Sequence, residues 1–279
     1  MKKIGFIDFF LDEWHANNYP QWIKEISQGQ MQVAYAFGLK DPESGLSNKE
    51  WCIKNNVEYL PSIEQVVDKS DYLIILSPDH PEYHEELSKI PLASGKRTYI
   101  DKTFAPDRAT AIRLFEMAEK WNTPMFSSSA LRFASEYRNI EKDGIEVINS
   151  WGPGRLDNYS IHQIEPIVSL MGDEAEKIMF TGTERFPALI IQFSNGRQAT
   201  VAHSGWECPF HMAVNYESGK SKIINVQSDF FKMFMKELID FFETGEVKVN
   251  SKETIAIITI IEYALKAAQK PFTWIDLPR

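Results

Sequence analysis

Thr98-Tyr99-Ile100-Asp101-Lys102-Thr103-Phe104-Ala105-Pro106-Asp107 is the stretch on which the fold turns. Thr98, Tyr99 and Ile100 are β-formers, so it opens as a short buried strand. Asp107 is suited to cap a helix over Arg108 to Lys120, whose apolar positions include Ile112, Phe115 and Ala118, with Leu114 and Trp121 beside them. Asp101 and Lys102 therefore fall where a strand ends and the chain turns. In open α/β sheets ligands bind at the carboxyl ends of the strands, so the pair is placed to meet one. A solvated ion pair is the plainer reading of an isolated Asp-Lys, and the rest of the chain decides between the two.

Toward the N-terminus the same alternation recurs. Lys3 to Ile7 reads as a strand buried on both faces and ended by Asp8. A long link over Phe9 to Tyr19 leads to Pro20 and a helix from Gln21 to Ser27. Gln32 to Phe37, Glu58 to Leu60 and Tyr72 to Leu76 read as strands, the last ended by Ser77-Pro78. Ser62 to Lys69 and Glu82 to Lys89 read as helices, and Pro124 to Phe126 as a last strand. Repeated alternation of strand and helix predicts a Rossmann-type, doubly wound parallel sheet over residues 1–126.

Residues 127–279 follow a different pattern. A crossing segment, Ser127 to Phe133, precedes a strand at Gly144 to Ser150 and a helix at Tyr159 to Met171 stopped by Gly172. Ser194-Asn195-Gly196-Arg197 joins two alternating strands, Leu189 to Phe193 and Gln198 to Ala202, as Asn-Gly hairpins do. A second hairpin turns at Glu217-Ser218-Gly219-Lys220. Ser228 to Phe242 and Ser251 to Ala268 carry apolar residues at helical spacing. The expectation is an α/β domain with an open, mainly antiparallel sheet, for substrate binding and oligomerisation. A homodimer or homotetramer joined through the uncovered sheet face follows from the apolar residues its strands carry.

Composition narrows the partners. The net charge is −9 and no block of lysines or arginines occurs, which argues against nucleic acid or an acidic membrane surface. No apolar run approaches the roughly 20 residues of a membrane span. Cys52 and Cys208 are far apart and form no metal or redox pattern. Asp8 and Asp12 interrupt the apolar run behind Met1-Lys2-Lys3, a poor secretory signal. These features predict a cytoplasmic protein. His80 and His84 have no evident third ligand, so no metal is expected.

Five features in order resemble the Gfo/Idh/MocA family of NAD(P)-dependent oxidoreductases, with an atypical nucleotide-binding loop. They are Ser77-Pro78; Gly95-Lys96 leading to Asp101-Lys102-Thr103; His162-Gln163-Ile164-Glu165 with Leu170-Met171-Gly172; Phe193-Ser194-Asn195-Gly196; and the end from Ala264 to Leu277. Together they span nearly the whole chain. Three departures stand out. No glycine-rich loop follows the first strand, Thr103 replaces the signature's proline, and Asn158 stands where the family has a catalytic aspartate.

The resemblance implies NAD or NADP as cofactor and a polyhydroxylated small molecule as substrate, a sugar, cyclitol or similar polyol. It makes Lys102 and His162 the catalytic candidates. A histidine titrates near neutral pH and is able to take a hydroxyl proton as hydride leaves carbon, while Lys102 polarises the oxygen. Glu165 is able to share a helix face with His162, and Pro166 fits a helix's first turn, so both are expected at the helix mouth. The cofactor candidates are Asp8, His15, Ser77, Pro78, Asp101 and Lys102. The substrate candidates are Arg132, Asn158, Tyr159, His203 and Trp206. Asn158 serves equally as a helix cap, and for the other four packing or a surface pair is as good a reading. Phe9, Phe10 and three acids replace the glycine loop, which predicts weak dinucleotide binding. The competing reading is a non-catalytic nucleotide- or sugar-binding regulator or sensor with a degenerate cofactor site.

Overall fold

The computed structural model describes residues 1–278. The chain divides into two units. The first comprises Met1–Ser128 and Met235–Ser251, and the second Ser129–Phe234 and the chain from Lys252 onward.

The first unit runs β1 (Lys2–Asp8), α1 (Trp14–Ile26), β2 (Met31–Gly38), α2 (Asn48–Asn55), β3 (Glu58–Tyr59), α3 (Ile63–Lys69), β4 (Tyr72–Ile75), α4 (His84–Ala93), β5 (Thr98–Ile100), α5 (Arg108–Lys120) and β6 (Met125–Phe126). Its six strands are all parallel, in the order β3-β2-β1-β4-β5-β6. The order reverses between β1 and β4, a topological switch point. Ile4, Phe6 and Ile7 of β1 and Leu73, Ile74 and Ile75 of β4 are fully buried. Strands covered on both faces read as continuous apolar runs, and these do. Asp107 caps α5 as expected, accepting from the Thr110 amide at 2.7 Å.

Two helices differ from the expectation. α1 begins at Trp14, and Pro20 lies inside it. The Glu13 side chain accepts from the His15 and Ala16 amides, so a cap exists well before Pro20. A proline in a helix interior removes one bond, here to the Ala16 carbonyl. The buried stripe of His15, Ala16, Tyr19 and Ile23 carries the helix through it. α4 likewise runs on from His84 to Ala93 through Pro91.

The second unit contains β7 (Ile145–Pro153), α6 (Leu156–Met171), β8 (Ala175–Phe180), β9 (Ala188–Phe193), β10 (Gln198–Ser204), β11 (His211–Tyr216), β12 (Ser221–Asn225), the start of α7 (Phe230–Thr244), α8 (Ser251–Ala268) and β13 (Ile275–Asp276). The sheet order is β12-β11-β7-β10-β9-β8-β13. β7 and β10 pair in parallel and the other neighbours are antiparallel. Asn195 (φ 62°) and Gly196 (φ 77°) make the β9–β10 turn, a left-handed pair that Asn-Gly adopts readily. Ile164, Ile167 and Val168 of α6 and Ile257, Ile260 and Ile261 of α8 share one core with Ile148, Ile191, Val201 and Val214 of the sheet. Alternate strand residues, among them Val147, Trp151, Ile190 and Thr200, are half-buried, as a period of two requires.

α6 begins at Leu156, one turn earlier than the sequence suggests, and Pro166 lies inside it. His162 is therefore mid-helix and not at a helix mouth. The missing Pro166 amide withdraws the helical partner of the His162 carbonyl, four residues before it.

Candidate functional site

In the second unit an aromatic and polar cluster forms around His162. Tyr159 and His162 are three residues apart on α6 and so share a face. Their rings are 5.0 Å apart, edge to face. The Trp206 ring stands 4.9 Å from Tyr159, again edge-on, and Trp206 is 62% exposed. Phe210 flanks the other side, 5.9 Å from His162. Gly154 (φ 92°) makes the arrangement possible, because a Cβ there would lie 2.4 Å from the Tyr159 ring. Ser129 Oγ is 2.8 Å from His162 Nδ1, and the same oxygen accepts the Leu131 amide at 3.2 Å. Asn158 Oδ1 is buried without a hydrogen-bond partner. Asn158 lies inside α6, whose N-cap is Arg155, so it is not the cap.

Two substrate candidates have other partners. The Arg132 side chain is one-tenth exposed and binds Glu165 at 3.3 Å and Glu253. Glu165 thus pairs with Arg132. His203 is 3% exposed, its Nε2 lies 2.9 Å from Ser160 Oγ, and burial pushes its pKa down.

At the carboxyl edge of the parallel sheet the structure gathers Asp8, His15 and Asp101, with Glu13 and Tyr19. Asp8 and Asp101 are each 1% exposed, and each has one carboxyl oxygen without a hydrogen-bond partner. Asp8 accepts from the Phe9 amide at 2.7 Å, and Asp101 from the Tyr99 hydroxyl at 2.9 Å. His15 lies between acids, with Nδ1 3.1 Å from Glu13 Oε2 and Nε2 3.7 Å from Asp101 Oδ2. Burial, and then the Glu13 charge, push the Asp8 pKa well above the usual carboxylate range. Burial likewise raises the Tyr19 hydroxyl, with Asp101 adding to it. Ser77, at the end of β4, has φ 83° and donates to the His80 carbonyl at 2.9 Å, with Pro78 buried beside it. Lys102 follows Asp101, is half-buried, and precedes a cis peptide to Thr103.

The Asp8 shift has a sign that can be checked. A carboxyl whose folded pKa is raised contributes stability below its ordinary range that is lost as pH rises toward the raised value. Asp8→Asn removes that loss. The variant is expected to melt higher than wild type at neutral pH, with the difference shrinking toward pH 4. Thermal melts across that range check it, and a variant that melts lower at every pH would contradict it.

No protein-family model matches the chain, and no curated protein matches it. Solved structures do. A probable dehydrogenase from Thermotoga maritima superposes with a TM-score of 0.81 at 14% identity, covering 98% of each chain. A myo-inositol dehydrogenase from Lactobacillus casei, in complex with NAD(H) and myo-inositol, gives 0.81 at 13%, covering 100% of this chain and 97% of that one. MviM, a dehydrogenase from Clostridium difficile, gives 0.72 at 18%, covering 95% and 99%. The chain has the fold of these dehydrogenases.

A dinucleotide bound to a doubly wound sheet of this kind would place its diphosphate at the N-terminus of α1, the helix after β1. Here Glu13 already takes the His15 and Ala16 amides. The preceding loop is tied down as well. The Leu39 and Lys40 amides donate to the Asp8 and Phe9 carbonyls at 2.9 and 3.0 Å, and Asp12 accepts the Leu46 amide at 2.8 Å. The Phe9 ring stacks on Tyr83 at 4.2 Å and lies 4.6 Å from His80. These residues do not fit a diphosphate.

Ser129 and the capping role of Glu13 were not legible as site features in the sequence. Ser129 stands 33 residues before His162 with no spacing to connect them. Glu13 is visible there only as a charge, because glutamate is not a usual N-cap residue and Trp14 to Pro20 is poor in helix formers.

Proposed function

We propose that this chain is an oxidoreductase acting at a hydroxyl-bearing carbon of a sugar, cyclitol or similar polyol, with His162 moving the hydroxyl proton. The observation that carries this reading is the Ser129–His162 pair beside Tyr159 and Trp206. Support comes also from the fold, which the L. casei enzyme shares with its NAD(H) and myo-inositol complex.

The Ser129 contact selects the ring's working form. When Nδ1–H donates to Ser129 Oγ, the lone pair lies on Nε2, which then accepts a hydroxyl proton. Once Nε2 has taken that proton the ring is an imidazolium, its Nδ1–H still on Ser129 Oγ, and its Nε2–H gives the proton back in the reverse direction. The same pair serves oxidation of an alcohol or reduction of a ketone. Tyr159 and Trp206 offer ring faces to the C–H side of a polyol, and Asn158 an acceptor for a hydroxyl. Lys102, at a strand end of the first unit, is the second catalytic candidate. NAD or NADP is the hydride partner such chemistry requires, although the diphosphate place at α1 does not fit it as it stands.

Glu13 favours a second reading, a polyol-binding regulator without redox chemistry. Both readings place the polyol in the second unit. Isothermal titration with myo-inositol and a set of hexoses is expected to show binding that Trp206→Ala weakens by about tenfold, the loss of one aromatic contact of roughly 1.4 kcal/mol. Equal binding by wild type and Trp206→Ala would remove Trp206 from the site.

A further inference from the structure

We infer that the Glu13 carboxylate is an internal stand-in for the cofactor's diphosphate, so that a dinucleotide reaches the first unit only by displacing it. The inference rests on the oxidoreductase reading, which requires a nicotinamide cofactor.

A helix N-terminus offers two things to an anion, unpaired amides and the positive end of the dipole. Glu13 uses both. Oε2 accepts the His15 amide at 2.7 Å, Oε1 accepts the Ala16 amide, and the Asn17 amide closes on the Glu13 carbonyl at 3.0 Å. His15 Nδ1 lies 3.1 Å from the same carboxylate. One side chain thus holds two amides and an imidazole that an incoming phosphate would otherwise meet. A cap of this kind is commonly Ser, Thr, Asp or Asn, and Glu is unusual in reaching two amides at once.

The neighbours reinforce the exclusion. Asp8 and Asp101 are buried at the same edge, with Asp101 Oδ2 facing His15 Nε2 at 3.7 Å. A phosphate entering there meets acids, and the His15, Ala16 and Asn17 amides of the first turn of α1 are already taken. Leu11 and Asp12 fix the loop, through the Asn48 side chain at 2.8 Å and the Leu46 amide, so Glu13 is held at one position along the chain. Its side chain is the part able to leave. Swinging it out would free both amides and remove one negative charge without unfolding the loop.

The test is titration of the intact protein with NADH and NADPH, without polyol, read by fluorescence quenching and calorimetry. Wild type is expected to bind more weakly than micromolar. Glu13→Ala frees two amides and removes a charge, and is expected to bind at least about tenfold more tightly, since both amides are then open to the diphosphate. Glu13→Gln keeps a neutral acceptor on the cap, protects the fold if the alanine variant unfolds, and is expected to gain roughly threefold from the charge alone. Submicromolar binding by wild type would overturn the inference, as would affinities in both variants equal to or weaker than wild type. The oxidoreductase reading fails on a different readout. Tighter binding with no turnover on any polyol would sink that reading and leave Glu13 in its role. Turnover with unchanged binding would do the reverse.

Discussion

His162→Ala is expected to lower turnover by about a hundredfold or more, the usual loss when a general acid–base group is removed. His162 stands inside α6, half-buried, with its ring between Tyr159 and Phe210 and its Nδ1 on Ser129. A ring held on three sides is oriented before substrate arrives, and orientation contributes as much as the proton transfer itself. Lys102→Ala is expected to cause a comparable loss with the fold intact, because Lys102 follows the strand end and lies outside the core. Ser129→Ala separates catalysis from packing. If Ser129 sets the tautomer, its loss shifts the pH profile of turnover while circular dichroism stays unchanged. Near-normal turnover in His162→Ala and Lys102→Ala would remove both residues from catalysis.

Gly5→Ala is the largest structural effect expected. β1 is the strand on which the parallel sheet is centred, and Gly5 lies where it passes beneath α3. A Cβ on Gly5 would come within 2.4 Å of both Ser70 Oγ and Val66 Cγ1. Real Cβ contacts do not reach that distance, and both neighbours are themselves buried. The helix must move off the sheet or the side chains must leave their rotamers, a cost of about 2–3 kcal/mol. Urea unfolding followed by circular dichroism measures it. A change under about 0.5 kcal/mol would show that the β1–α3 contact is slack.

The parallel sheet was legible because its strands are covered on both faces and so carry unbroken apolar runs, as in Tyr72 to Leu76. The Asp107 cap and the Asn-Gly turn at Asn195 were legible because each fixes one backbone geometry. α2 was not: Asn48 to Asn55 mixes apolar and charged residues without a clear stripe. β8, Ala-Glu-Lys-Ile-Met-Phe, is half-buried over four of its six residues and alternates poorly. The two prolines misled in the same way. Pro20 and Pro166 each suggest a helix start, and each lies inside a helix whose buried stripe outweighs one missing bond. In the site, Tyr159 and His162 declare themselves by spacing along α6. Partners such as Ser129 for His162 or Ser160 for His203 depend on how the chain folds back, and no local pattern encodes that. Arg132 looked available for substrate until Glu165 and Glu253 were seen to hold it.

Hydride chemistry on a polyol is tested most directly by the absorbance of reduced nicotinamide. Purified protein is mixed with NAD or NADP at millimolar concentration, high enough to compete with Glu13, and with sugars and cyclitols in turn. A steady rise is expected with at least one polyol, faster in Glu13→Ala and absent in His162→Ala. A polyol that binds the protein yet gives no reduced nicotinamide with wild type or Glu13→Ala, with either cofactor, would contradict it.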